Sequence, residues 1–311
     1  MKYSIVFPGQ GSQSIGMLSD LRTNFSVVNE IFQEASDAIN VDLWKIINED
    51  EELLGLTENT QPIMLAAGYA TYKVLAGEVN LTPISIAGHS LGEYTALVAC
   101  GSLGFFDAVQ LVRKRAELMQ AAIPNGSGSM AAILGLDDSR VIEICLKASD
   151  KGVVEAVNFN SPGQVVIAGK KGAVAHACEL MKAAGAKRAL VLPVSVPSHC
   201  SLMKDAAMDF KSSVDNINFQ MGSEKVLHNV DADYSSNIEE IKLKLVKQLH
   251  KPVLWTSTVQ KMKESGVEKL IEAGPGKVLA GLTRRIDKSL SGSAIIDLAT
   301  LKSTIEEISH A

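Results

Sequence analysis

At 311 residues, 46% of them hydrophobic and 21% charged, the chain can bury a substantial core as one large globular domain or two lobes. A formal net charge of −5 with no strongly basic arm or stripe excludes a general nucleic-acid binder. Four cysteines, Cys100, Cys145, Cys178 and Cys200, form no C-x-x-C pair; this is too sparse for a disulfide framework and wrongly spaced for zinc. The apolar run at Tyr3–Phe7 is too short for the core of a signal peptide. The longest apolar region, 84–106, is broken by His89, Glu93 and several glycines, so no membrane span and a reduced, cytoplasmic setting are expected.

Taken in chain order, Tyr3–Phe7 and Ile84–Ala87 are short apolar runs ending at glycine-containing turns, the pattern of buried parallel strands. Between them, 59–75 has helical spacing with a start at Thr60, which puts Pro62 in the first turn. Helices are predicted over 91–99 and 106–122. Strands alternating with helices define an α/β class with a largely parallel sheet. Pro124-Asn125-Gly126-Ser127-Gly128-Ser129 then interrupts as a lobe boundary. Beyond it come a strand (130–134), a helix (139–147), two strands (153–158 and 164–168) joined by Ser161-Pro162-Gly163, a helix (173–184) and a strand (188–192). That is the β-α-β-β-α-β order of a ferredoxin-like unit. A helix near 202–210, a strand near 225–227, a helix over 238–249 and a strand at 269–272 follow, the last leading through Gly274-Pro275-Gly276 into a final helix. The expected organisation is a core of residues 1–125 and 196–311 carrying the chemistry, interrupted by an inserted subdomain, 126–195.

The chemistry concentrates at Gly88-His89-Ser90-Leu91-Gly92, where strand, G-x-S-x-G turn and helix in succession read as a nucleophile elbow. The plainer reading is a chance match in a glycine-rich loop, but the flanking strand and helix favour catalysis. Ser90 needs a base, because an unassisted hydroxyl is almost wholly protonated at neutral pH. Six histidines compete. His89 adjoins the serine and reads as structural, His176 lies in the inserted helix, His310 in the tail, and His228 and His250 read as satisfied polar residues. His199 stands on a proline-stiffened segment just past the lobe boundary, where catalytic groups concentrate, and leads the set. No acid of a triad is identifiable: Asp137, Asp138, Asp205 and Asp209 follow the serine without a motif, so a dyad with a backbone carbonyl behind the imidazole is open.

Phe7-Pro8-Gly9-Gln10-Gly11-Ser12-Gln13 follows the first strand and should open at the same sheet edge as the elbow. It lacks a third glycine and a Gly-Lys-Ser/Thr sequence, so an oxyanion-hole loop is more economical than a phosphate cradle. Arg115 has two open readings: one of three surface cations in Arg113-Lys114-Arg115, or a bidentate clamp on a substrate carboxylate. The basic clusters Lys170-Lys171, Lys187-Arg188 and Arg284-Arg285-Lys288 read as solvated surface, with docking of an acidic partner as the sharper alternative. Cys200 reads as a buried thiol.

Six stretches, Phe7–Gln13, Gly88–Tyr94, Arg115–Gln120, Val157–Gly169, Val194–His199 and Glu272–Gly281, together resemble the malonyl-CoA:acyl-carrier-protein transacylases of bacterial fatty acid synthesis over nearly the whole chain. The resemblance implies Ser90 as nucleophile, His199 as base, Arg115 on the malonyl carboxylate, and the N–H groups of Gln10 and Leu91 as oxyanion hole. It implies that a backbone carbonyl, matching Gln248, holds the histidine's other nitrogen. It also implies an α/β-hydrolase-like core with a ferredoxin-like subdomain. The substrates would be malonyl-CoA and phosphopantetheinylated acyl carrier protein, with no cofactor or metal and a monomeric enzyme. Two rivals stand beside this: a serine esterase or thioesterase with the same elbow, and a non-catalytic docking lobe, which would have no reason to keep both nucleophile and base.

Overall fold

A computed structural model describes residues 1–194 and 196–309; Ser195 of the Val194–His199 stretch and His310 lie outside the described residues. The described strands are Tyr3–Phe7 (β1), Ile86–Gly88 (β2), Gly128–Leu134 (β3), Val154–Ser161 (β4), Gln164–Lys170 (β5), Arg188–Val191 (β6), Val226–Leu227 (β7), Lys269–Ala273 (β8) and Ser291–Ile295 (β9). Five of them form a sheet of order β7-β2-β1-β8-β9, parallel at every pairing, with Ile5 opposite both Ile86 and Ile271. Every residue of β1 and β8 is buried, as helices on both faces require. Alternation along these strands sorts the side chains. Ile5, Phe7, Ile271 and Ala273 enter one core, while Val6 and Leu270 enter a second core with Trp255 and Leu282 on the other face.

The other sheet has order β4-β5-β3-β6 and is antiparallel throughout. Its elements run strand, helix, strand, strand, helix, strand, with Asp138–Ala148 and Lys171–Ala183 as the two helices. Ile133, Val165, Ile167, Val141, Val174 and their neighbours make a separate core between these helices and one face of the sheet. The opposite face, including Met130, Val157 and Val166, packs on Cys200. Backbone bonds tie the sheet to the larger one's flank, where Phe159 N–H donates to Val253 O at 3.0 Å and Val253 N–H to Val157 O at 2.8 Å.

Three expectations need correction. The helix expected from Thr60 begins at Thr57 and runs to Glu78, which moves Pro62 out of the first turn into the helix interior. It survives there because the carbonyl that proline leaves without a donor, Glu58 O, accepts from Arg113 Nη1 at 3.1 Å. The chain does not end in one helix after Gly274-Pro275-Gly276; helix Val278–Ile286 is followed by β9 and then helix Leu298–Ser309. Strand β9 reads Ser-Gly-Ser-Ala-Ile and half faces solvent, so it lacks the apolar run that marks a buried strand. Helices Ser19–Asn24, Ser26–Ile39, Leu43–Glu49, Glu51–Gly55 and Trp255–Glu264 were not among the expected elements. Among the described residues, no helix is long and apolar enough to cross a membrane.

Candidate active site

Strand β2 ends at Gly88 and helix Gly92–Ala99 begins four residues later, so His89, Ser90 and Leu91 must turn the chain at the carboxyl edge of the parallel sheet. Both glycines are required by contact. A Cβ on Gly88 would lie 1.8 Å from the Gly92 carbonyl carbon, and one on Gly92 would lie 2.1 Å from Phe7 O. The turn closes by placing Ser90 at φ 51°, in the left-handed region that costs a non-glycine residue about 1–3 kcal/mol. Its main-chain groups are both satisfied: Ser90 N–H donates to Asn229 Oδ1 at 2.7 Å, and Gln248 Nε2 donates to Ser90 O at 2.9 Å. Asn229 Nδ2 in turn donates to Gly88 O at 2.7 Å, so one buried side chain spans the elbow.

His199 reaches this serine from 109 residues further along the chain. Its Nε2 is 2.7 Å from Ser90 Oγ, and its Nδ1 is 2.6 Å from Gln248 O. A carbonyl oxygen only accepts, so Nδ1 carries the proton and Nε2 presents a lone pair to the hydroxyl. His199 also has a left-handed backbone, φ 66°, with its N–H on Leu249 O at 3.0 Å. Burial, and secondly the nearby Arg115 charge, push the imidazole down to about 3, against which the Gln248 hydrogen bond works. The resting imidazole is therefore neutral. Among the described residues no carboxylate bonds the imidazole; Asp137, Asp138, Asp205 and Asp209 do not supply a triad acid.

Arg115 is not a surface cation. It is 2% exposed, with Nη1 on Gln61 Oε1 at 2.8 Å, Nη2 on Gln248 Oε1 at 3.0 Å, and Nη2 also 3.4 Å from Ser90 Oγ. The guanidinium lies 5.4 Å from the centre of the Tyr94 ring. Arg113 and Lys114 do turn elsewhere, Arg113 pairing with Glu117 at 3.0 Å. A cavity of about 130 Å³ joins Ser90, His199 and Arg115 to Gln10, Met119 and Leu192. Such a cavity can seat a short acyl group with an anionic end.

Two N–H groups beside Ser90 are left open. Those of Leu91, at the start of helix Gly92–Ala99, and of Gln10 meet no acceptor among the described residues. The loop carrying Gln10 is pressed onto the elbow, since a Cβ on Gly9 would sit 2.6 Å from His89 O. It is braced from behind by the turn after β8, where a Cβ on Gly274 would sit 3.0 Å from Pro8. Glu272 holds that turn, accepting Ala280 N–H at 2.8 Å.

The other expected residues fall into place around this centre. His89 Nε2 meets Asn160 Oδ1 at 2.8 Å, linking the elbow to β4, and its ring tilts against Trp255. His228 Nδ1 meets Glu93 Oε1 at 2.7 Å in a fully buried pair. Neither His176 nor His250 lines the cavity. Cys200 is a buried thiol on Pro197 O at 3.1 Å, and burial pushes it up to about 12. Sequence reasoning missed Gln61, Asn229, Glu93 and the side chain of Gln248. Only Glu93 carried a signal, as a lone acid in the apolar run Leu91–Cys100, where an acid is buried only with partners.

A strained serine, a neutral histidine and open N–H donors thus lie together on an α/β scaffold, and residues 4–302 match the acyl transferase domain family. Within that class, the chain belongs to the malonyl CoA-acyl carrier protein transacylase family. It is 51% identical over 307 residues to the malonyl CoA-acyl carrier protein transacylase of Haemophilus influenzae, spanning 98% of both proteins. Identity to the Escherichia coli K12 protein of that name is 49%, over 98% of this chain and 99% of the other. Among solved structures, an acyl carrier protein S-malonyltransferase from Vibrio cholerae superposes with a TM-score of 0.95 at 50% identity, over 98% of this chain and 100% of that one. A malonyl-transacylase solved in complex with its holo type II PKS acyl-carrier protein superposes with a TM-score of 0.97 at 48% identity, covering 99% and 100%.

Proposed function

We propose that this chain moves malonyl groups from coenzyme A to the phosphopantetheine thiol of acyl carrier protein, through an ester on Ser90. The observation that carries the reading is the 2.7 Å approach of His199 Nε2 to Ser90 Oγ beside a buried arginine in one small cavity. His199 takes the hydroxyl proton as Ser90 attacks the thioester carbonyl. The oxyanion forms against the N–H groups of Gln10 and Leu91, where loss of one such donor typically costs about 10²–10³ in rate. CoA thiol leaves with the proton, and the carrier's thiol then runs the same steps in reverse. The carbonyl of Gln248 holds the imidazole tautomer throughout, which is the share of a triad acid's work that needs no charge. Arg115 takes the malonyl carboxylate with the N–H left on Nη1 and the one that Nη2 turns away from its 3.4 Å contact with Ser90 Oγ.

The surrounding fold suits this chemistry. The parallel sheet with its nucleophile elbow supports an α/β-hydrolase-like core, 1–125 and 196–311. The strand order β4-β5-β3-β6 supports a ferredoxin-like subdomain, 126–195. A cytoplasmic monomer that needs no cofactor or metal completes the reading, and the structural neighbour solved with its acyl-carrier protein supports such a carrier as partner. A serine esterase would share elbow and histidine but gains nothing from a buried guanidinium facing the acyl cavity. Following malonyl-CoA consumption with and without carrier protein tests the choice. Transfer predicts ping-pong kinetics and slow turnover without carrier; equal consumption in both would make the chain a hydrolase.

A further inference from the structure

Arg115 is held in an unusual way. A buried guanidinium is ordinarily paired with a carboxylate, because an uncompensated charge away from water is costly. Here both terminal nitrogens rest instead on amide oxygens, Gln61 Oε1 at 2.8 Å and Gln248 Oε1 at 3.0 Å, and Nε has no partner among the described residues. The polarity of the Gln248 amide is fixed from behind. Its Nε2 faces two groups that accept, Ser90 O at 2.9 Å and Glu93 Oε2 at 2.8 Å, so its oxygen must face the arginine. The Glu93 carboxylate is thereby one amide removed from Arg115, spent on Asn229 N–H at 3.0 Å, His228 and Gln248. Gln61 approaches from the other side, on helix Thr57–Glu78, 1% exposed; its Nε2 has only a long contact to Met119 Sδ at 3.9 Å.

Each glutamine thus supplies an oxygen that orients the guanidinium without cancelling its charge. A carboxylate in either place would hold Arg115 more firmly but would occupy it. We propose that Gln61, together with the Gln248 side chain, determines specificity by keeping Arg115 positioned yet unneutralised, so that the acyl group's own carboxylate completes the ion pair. This rests on the reading of Arg115 as the malonyl clamp. It adds a separate function for Gln248, whose backbone serves His199 while its side chain serves the arginine.

The test is Gln61→Glu, which keeps size and the accepting oxygen, set against Gln61→Met, which removes the acceptor without adding charge. Each is assayed for acylation of the enzyme by malonyl-CoA and by acetyl-CoA, with Arg115→Ala as reference. Inactivation by methanesulfonyl fluoride reports the serine and histidine independently of the clamp. Gln61→Glu should lower kcat/KM for malonyl-CoA at least about thirtyfold, the low end of what loss of a buried charge partner costs. Acetyl-CoA and sulfonyl fluoride rates should stay within about threefold, and Gln61→Met, which leaves the Arg115 charge uncancelled, should lose several-fold less with malonyl-CoA than Gln61→Glu does. Equal malonyl losses in the two variants, or parallel losses of malonyl and acetyl transfer in Gln61→Glu, overturn the proposal. If Arg115→Ala loses both substrates alike, the clamp itself fails and this inference with it; a malonyl-selective loss there beside an unselective Gln61→Glu sinks this inference alone. Should Gln61→Glu not fold, Gln61→Asp adds the charge from the same backbone position on a shorter side chain, and the same criteria apply.

Discussion

The two sheets divide the work unequally. Strands β1, β2 and β8 of the parallel sheet are buried at every position, and their carboxyl ends deliver the Gln10 loop, Ser90 and the brace at Gly274. In the antiparallel sheet β6 is exposed or half-exposed along its length, and β4 is buried at only three of its eight positions. That sheet contributes cavity wall, through Met130 and Asn158, and one latch, Asn160 on His89. A sheet closed on both faces can force a strained turn and hold it, because neighbouring backbone leaves no room for an alternative. A sheet whose edge strands are exposed can shape and cover a cavity but imposes no such constraint there. Chemistry should therefore fail sharply when the parallel sheet's end is altered, and only gradually when the antiparallel sheet is.

The largest expected effect is on the proposed base. His199→Ala should lower malonyl transfer by roughly 10⁴- to 10⁶-fold, as removal of the base from other serine dyads and triads does, with the thermal melt little changed. Gly92→Ala comes next. A methyl 2.1 Å from Phe7 O cannot be accommodated, so the variant should lose more than about 4 kcal/mol of stability, read by denaturant titration; a stable, active variant would break the claim that close packing shapes the elbow. Arg115→Ala should cost malonyl transfer about 2–5 kcal/mol and acetyl transfer much less. For the antiparallel side, Asn160→Ala should cost only about 1–3 kcal/mol, felt as a modest fall in kcat/KM; a loss as large as that of His199→Ala would erase the distinction between the sheets.

The smallest effect concerns pH. In the proposed mechanism the neutral imidazole is the active form, so lowering its pKa moves the acid limb of the rate profile to lower pH. With His199 pushed to about 3 by burial and by Arg115, kcat/KM should stay nearly flat from pH 7 to pH 5. A limb at the ordinary histidine value would show that the site is wetter or the arginine charge weaker than the geometry implies.

Much of this was legible in the sequence, for identifiable reasons. The elbow announces itself because the close approach of Gly88 and Gly92 demands glycine on both sides of Ser90. Strand β1 is readable because burial on both faces gives a nearly continuous apolar run, Tyr3-Ser4-Ile5-Val6-Phe7. His199 was reachable through its proline-stiffened segment. The two readings of Arg115 could not be separated, since helical spacing does not say which neighbours cover a side chain. Gln61, Asn229 and the Gln248 amide were invisible, because neutral amides act through partners dozens of residues away and leave no local pattern. Pro62 misled the helix start because its compensation, Arg113 on Glu58 O, comes from another helix.

Brief exposure of the intact protein to malonyl-CoA, followed by mass measurement and location of the modified peptide, tests the central claim most directly. The account predicts one malonyl group per chain, on Ser90, removed when phosphopantetheinylated acyl carrier protein is added. A stable adduct on any other residue, or turnover with Ser90 never acylated, would contradict it.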